Sequence, residues 1–353
     1  MHTLLQELQI SYPVIQAPML GVSTPEMAAA ASNAGGLGSL PVGGLSPDAI
    51  ADLLHKTKAL TARLFAVNLF VHTIPEVDVA ILEPMQALIG RLANERGYRL
   101  TSADLQIPRL YSYKDQQEVL LQEGVRLVSF TFGCPDDGSI RLLKDHKVWL
   151  MGTATSLEEA VYLQAKGVDM VVAQGIEAGG HRGSFLQENV QQQSSLEALL
   201  EMIRTEVHIP VIAAGGIRDI AGAKRVMELG AAAVQLGTLF IPTQESMAIT
   251  GYKQLLSGKQ ERHSVLTTAF SGRWARGLSN DFITAIETSG IPVPPYPYQN
   301  ALTARLRKMA QAQQDPEFTS LWSGTALPLA NAATSTAEIV EAFGRALAGT
   351  KYL

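Results

Sequence analysis

Only one cysteine, Cys134, occurs among the 353 residues, so no disulfide can form within the chain and the fold must rest on its apolar core. Charge is also scarce: 17% of residues are charged against 46% hydrophobic, a balance that excludes an extended disordered chain. Lys and Arg form no continuous run and the formal net charge is -5, so no nucleic-acid partner is expected. No apolar stretch reaches the roughly 18 residues that a membrane helix needs. The opening Met1-His2-Thr3-Leu4-Leu5-Gln6-Glu7 lacks the basic and long apolar regions of a signal peptide. These absences lead to the expectation of a soluble, cytoplasmic protein without a membrane partner. No internal repeat is evident.

What the chain does contain is a regular succession of short apolar runs. Eight can be counted, over 13–19, 37–42, 65–70, 127–132, 147–153, 170–174, 210–214 and 232–236. Most are continuously apolar rather than alternating, as parallel strands buried on both faces should be. Helix signals lie between them. Ser23-Thr24-Pro25 opens one helix, stopped at Gly35, and Ser46-Pro47 opens the next. Ser156 and Glu159 fit a capping box for a helix ending at Gly167, and Asp219 can cap one ending at Gly230. Strand and helix alternating eight times predict an α/β fold, a (β/α)8 TIM barrel, with a doubly wound open sheet as the alternative.

A barrel of this kind uses about 250 residues. The surplus falls in an insertion over about 71–113, after strand 3, and in a helical carboxy-terminal extension over 242–353 that includes Ile291-Pro292-Val293-Pro294-Pro295-Tyr296-Pro297. Residues 1–241 are therefore predicted to form the barrel, with the extension packing on it. Gly36-Leu37-Gly38 superficially resembles a dinucleotide fingerprint. It has Pro41 at the third glycine position and precedes a strand instead of following one, so it is rejected.

The densest chemical signal is Ala173-Gln174-Gly175-Ile176-Glu177-Ala178-Gly179-Gly180-His181-Arg182-Gly183, which follows the apolar Met170-Val171-Val172. Glycine lets a backbone approach a ligand closely, and a histidine can exchange a proton near neutral pH. We expect His181 on an exposed turn beside a flat cofactor. Turns after the seventh and eighth strands of barrels often hold phosphate. Here they read Ala214-Gly215-Gly216-Ile217 and Gln235-Leu236-Gly237-Thr238, and free N–H groups on such turns can cradle a dianion without lysine. Asn68, Gln174 and Gln235 are amides within or at the ends of apolar strands. A buried amide must be hydrogen-bonded, and three of them suggest contacts to the edge of a polar heterocycle. Ala17, Pro18 and Met19 would make a floor for a ring system, and Cys134 reads as a small residue beside the site.

Taken together these segments resemble the nitronate monooxygenase family, formerly the 2-nitropropane dioxygenases, and within it the class I enzymes. The resemblance runs from the first strand to the carboxy terminus. It is carried by 17–25, by Asn33-Ala34-Gly35-Gly36-Leu37-Gly38, by Asn68-Leu69-Phe70, by the Gln174 to Gly183 turn and by both phosphate turns. It ends with Ser271-Gly272-Arg273-Trp274-Ala275-Arg276-Gly277. It implies non-covalent FMN, contacted by Asn68, Gln174, Gly179, Gly216 and the segment Gln235 to Thr238, and oxidation of alkyl nitronates by dioxygen. Propionate 3-nitronate is the toxin whose detoxification the family is usually linked to.

The resemblance makes His181 the active-site histidine, holding the nitro oxygens by hydrogen bond or charge. The same residue would be a general base if neutral nitroalkanes are also used. Tyr296 matches a family tyrosine near the substrate. Thr131 stands where the family often has histidine, and Ala304 replaces a lysine seen in some members. A homodimer is a further expectation. Flavin-dependent enoyl-acyl carrier protein reductases and some NADH:quinone reductases also use a Gly-Gly-His turn, so an NAD(P)H oxidoreductase is the alternative, and a non-catalytic flavin-binding protein a third.

Overall fold

The computed structural model describes residues 2–186, 189–257, 262–327, 329 and 335–348. Of the expected 242–353 extension, residues 258–261, 328, 330–334 and 349–353 therefore lie outside the described residues. Strands β1 (Val14–Gln16), β2 (Gly38–Pro41), β3 (Phe65–Phe70), β4 (Leu127–Thr131), β5 (Trp149–Ala154) and β6 (Met170–Gln174) belong to one sheet. After the short β7 (Gly180–His181), that sheet continues with β8 (Val211–Ala214) and β9 (Ala233–Leu236). All its pairings are parallel, in the order β1-β9-β8-β6-β5-β4-β3-β2, and a parallel bridge between Ile15 and Leu37 closes the ring. The fold is a (β/α)8 barrel, and the open-sheet alternative falls because its two edges meet.

Continuous apolar runs are explained by burial on both faces. Along β6, Met170 and Val172 join the cluster inside the barrel, while Val171 and Ala173 face the outer helices. Leu4, Leu8 and Ile10 join the same interior cluster, so the amino-terminal segment helps to fill the barrel. The helix starts follow the sequence signals. Met27 N–H donates to Thr24 Oγ1 at 3.0 Å with Pro25 in the first turn, and Gly222 N–H donates to Asp219 Oδ1 at 2.8 Å. One signal is only half of what was expected. Glu159 N–H donates to Ser156 Oγ at 3.2 Å, but the Glu159 carboxylate does not reach back to Ser156. It accepts from Thr155 N–H at 2.7 Å and, across the barrel mouth, from Phe185 and Leu186 N–H at 2.5 and 2.9 Å. A buried carboxylate needs several donors, and the loop after His181 supplies them.

The insertion and the carboxy-terminal region pack together. Met85, Leu88, Ile89 and Leu92 of helix Val79–Glu95 share one cluster with Phe270, Phe282, Leu302, Leu306 and Phe318. Arg96 and Tyr98 both bind Asp315, at 2.8 and 2.6 Å. Helix Thr336–Ala348 packs on helices Pro25–Asn33 and Ile220–Glu228 of the barrel wall. A small antiparallel sheet, β10 (Ser264–Thr267), β11 (Ala275–Leu278) and β7, lies over the mouth.

Candidate active site

The carboxyl ends of the strands open into a cavity of about 1530 Å³, open solvent included. Every residue singled out for a site lines it: Ala17, Pro18 and Met19 from the end of β1, Asn68 and Thr131 from β3 and β4, and Gln174 with Gly179, Gly180 and His181. Gly215, Gly216, Gln235, Leu236, Gly237 and Thr238 contribute the turns after β8 and β9, and Tyr296 comes from the extension. Cys134 does not line it. Burial pushes its thiol up to about 11, so it is an inert packing residue.

The turns after β8 and β9 carry the groups that a phosphate needs. Gly215 and Gly216 have φ of 113° and 69°, and a Cβ on Gly215 would come within 3.0 Å of Ala178 N. Among the described residues, the N–H groups of Gly216, Ile217 and Gly237 donate to no protein acceptor. Unpaired N–H groups on adjoining turns are an anion cradle. Gly180, at φ 75°, would point a Cβ into open space, which leaves room for a ring against its backbone. The phosphate of a nucleotide fits this donor set.

The expected exposed turn around His181 is instead a strand. Gly180 and His181 form β7, paired antiparallel with Arg276 and Ala275 of β11, and Arg182 N–H donates to the Trp274 carbonyl at 2.8 Å. The partner strand lies far along the chain, so the turn's own sequence gave no sign of the pairing. Arg182 is fully buried and clamps the connection from β6 by donating to the carbonyls of Gly175 and Gln174 at 2.7 and 2.9 Å and to Gln193 Oε1 at 2.7 Å. Gln174 is engaged as well: its Nε2 donates to the His181 carbonyl at 3.0 Å and its Oε1 accepts from Gly183 N–H at 2.9 Å. Its amide thus holds the histidine segment in place, a use that the strand-end amide by itself did not suggest. Asn68 Nδ2 donates to Ser129 Oγ at 3.0 Å.

The His181 ring is packed rather than exposed. Phe132, Trp322, Phe70 and Tyr296 lie 5.4, 5.5, 5.9 and 6.3 Å from it, centroid to centroid. Its Nε2 is 2.8 Å from Ser271 Oγ. Burial, with the positive fields of Arg273 and Arg307 added, holds the imidazole well below its ordinary range, at about 3, so it is neutral at physiological pH. Arg273 lies over the Phe132 ring at 4.1 Å, and Phe132 itself has φ of 81°, an unusual conformation for a bulky residue that recurs at functional sites.

Ser271, Phe132, Trp322 and Arg307 were not among the expected site residues. Ser271 lies in a segment the resemblance quoted, and Arg307 is in register with Asn300 and Thr303 on one helical face. Phe132 and Trp322 carry no comparable signal.

Three comparisons bear on this site. The family model described as nitronate monooxygenase matches residues 2–344. A "Probable nitronate monooxygenase" of Staphylococcus saprophyticus is 40% identical over 321 residues, covering 90% of this chain and 89% of that protein. The crystal structure of a nitroalkane oxidase from Streptomyces ansochromogenes superposes with a TM-score of 0.87 at 36% identity, covering 98% of this chain and 97% of the other. FabK from Thermotoga maritima does so with 0.75 at 27%, covering 98% and 95%.

Proposed function

The chain belongs to the nitronate monooxygenase family of flavin-dependent oxidoreductases, and from that premise we propose that it oxidises alkyl nitronates, propionate 3-nitronate among them, with dioxygen on bound FMN in the cytoplasm. One observation carries the reading: a single cavity is lined both by the glycine turns after β8 and β9, whose N–H groups are free for a phosphate, and by a packed, neutral histidine. Residues 1–241 supply the cradle and the histidine, and 242–353 supply Tyr296, Trp322 and Ser271.

Bound FMN would supply the redox chemistry, taking electrons from the nitronate and passing them to dioxygen. The cradle N–H groups would hold its phosphate, with Ala17, Pro18 and Met19 under the ring. A nitronate is already an anion, so no base is needed to activate it. His181 would face it within a ring of aromatic side chains that excludes water. With the Ser271 hydroxyl donating to the Arg273 carbonyl at 3.1 Å, His181 Nε2 carries the ring proton toward Ser271, and Nδ1 is the atom able to take the α-proton of a neutral nitroalkane. An anion beside the ring offsets the fields of Arg273 and Arg307, and so favours a proton on the imidazole just when there is a negative charge to hold.

Two results are expected from the purified protein. Heat should release FMN and not FAD, read by mass, because the two glycine turns make one phosphate cradle; recovered FAD would overturn the assignment. Mixed anaerobically, a nitronate should bleach the flavin absorbance quickly and NADH slowly or not at all. Rapid stoichiometric bleaching by NADH would favour the NAD(P)H oxidoreductase reading instead.

A further inference from the structure

Helix Tyr298–Ala312 turns a polar face toward the cavity mouth. Asn300 and Arg307 line the cavity at a spacing of seven residues, which falls on one side of the helix, and Tyr296 lines it from just before the helix starts. Arg307 is unusual among them. It is half-buried in the cavity wall, yet among the described residues no carboxylate comes within ion-pair distance of it. Its hydrogen bonds go to neutral oxygens: Nε to Thr303 Oγ1 at 3.1 Å, and Nη2 to the Asn300 carbonyl and Oδ1 at 2.9 and 2.8 Å. Nη1 has only a long contact of 3.5 Å to Ser320 Oγ. These are at most four acceptors for five N–H donors.

A half-buried charge without a counter-ion is partly desolvated with no ion pair to compensate it. The residue therefore makes sense if an anion completes it. The flavin phosphate has its own cradle at the turns after β8 and β9, whereas the field of Arg307 is felt at His181 and Tyr296.

Resting on the proposed nitronate chemistry, we infer that Arg307 is the specificity-determining residue of the substrate half of the cavity. It anchors a second negative charge, a carboxylate at the far end of the substrate, and so selects carboxylate-bearing nitronates over neutral-tailed ones. The burial that depresses the guanidinium to about 10 still leaves it charged at neutral pH, as such an anchor requires.

Unreactive carboxylates test this by calorimetry on the flavin-loaded protein. Succinate has a planar anionic group at each end, and butyrate has one at a single end of the same chain length. Wild type should bind succinate on the order of 10-fold or more tighter than butyrate, the worth of one charge-assisted hydrogen-bonded contact. Arg307→Met should bring that ratio close to one with flavin content retained, and Arg307→Lys should keep part of it. A wild-type ratio near one would overturn the inference without any substitution. So would an Arg307→Met protein that weakens both ligands equally, which would put the nitronate group itself on Arg307, or one that loses its flavin. Oxygen uptake with propyl-1-nitronate by wild type separates the outcomes. If uptake proceeds while succinate shows no preference, only this inference fails. If uptake is absent, the nitronate reading fails, whatever succinate does.

Discussion

Replacing His181 by Asn is expected to lower kcat/KM for neutral nitroalkanes by on the order of 10²–10⁴, the usual worth of a positioned acid–base group, and for nitronates by about 10-fold through a lost hydrogen bond, while the flavin stays bound. The expected flavin contacts lie on backbone and amide groups, none of which the substitution touches. Stability should fall modestly, by roughly 1–2 kcal/mol, since one hydrogen bond to Ser271 and part of an aromatic packing arrangement are lost. The split between kinetic constants reports the role of the ring. If His181 holds a pre-formed nitronate, the loss falls mainly on KM. If it removes the α-proton of neutral nitroalkanes, that substrate class alone loses kcat. Steady-state kinetics on both substrate forms, with flavin content and melting temperature measured in parallel, check it. Full activity on both forms would make the Gly-Gly-His segment structural.

Gly215→Ala should yield a protein that purifies with less than about a tenth of its flavin, because it alters both the shape and the backbone freedom of the cradle. Gly215 has φ of 113°, where a residue with a side chain is strained, and the new methyl would sit 3.0 Å from Ala178 N and Cβ. Strain of this kind costs about 1–3 kcal/mol. It would be relieved by rotating the turn, which moves the N–H groups that face the phosphate. Gly230→Ala is the control. Its φ of 102° is equally unsuited to alanine, but a Cβ there meets nothing within 4 Å, and the residue lies outside the cavity lining. Gly230→Ala should lose a comparable amount of stability and keep its flavin. Absorbance at flavin wavelengths per mole of protein, with melting temperatures, distinguishes the two. Equal flavin loss in both variants would mean that general destabilisation, not the cradle, releases the cofactor.

The arrangement around His181 also explains why its charge differs from what the sequence suggests. A histidine between glycines reads as accessible and titrating near neutral pH. Here it carries a ring environment of Phe70, Phe132, Tyr296 and Trp322, and two arginines add positive field, so the neutral form is held across the physiological range. The residues that do this come from β3, the end of β4, and four separate points of the carboxy-terminal region.

The chain's own sequence determined whatever short-range chemistry dictates. Runs such as Met170–Gln174, apolar without alternation, read as strands covered on both faces, and eight of them with capped helices between predicted a parallel α/β sheet, whose closure into a barrel the Ile15–Leu37 bridge decided. The paired glycines at 215–216 and the Gln235 to Thr238 turn were legible because backbone freedom is a property of the residue itself. Tertiary structure alone decided the rest. Ser271 meets His181 across 90 residues, β7 exists only because β11 pairs with it, and Gln174 holds the histidine segment. Arg307 became a half-buried cation without a carboxylate only when its helix was placed against the cavity. Burial, electric field and pairing depend on neighbours in space, and no spacing within a single segment records which neighbours those will be.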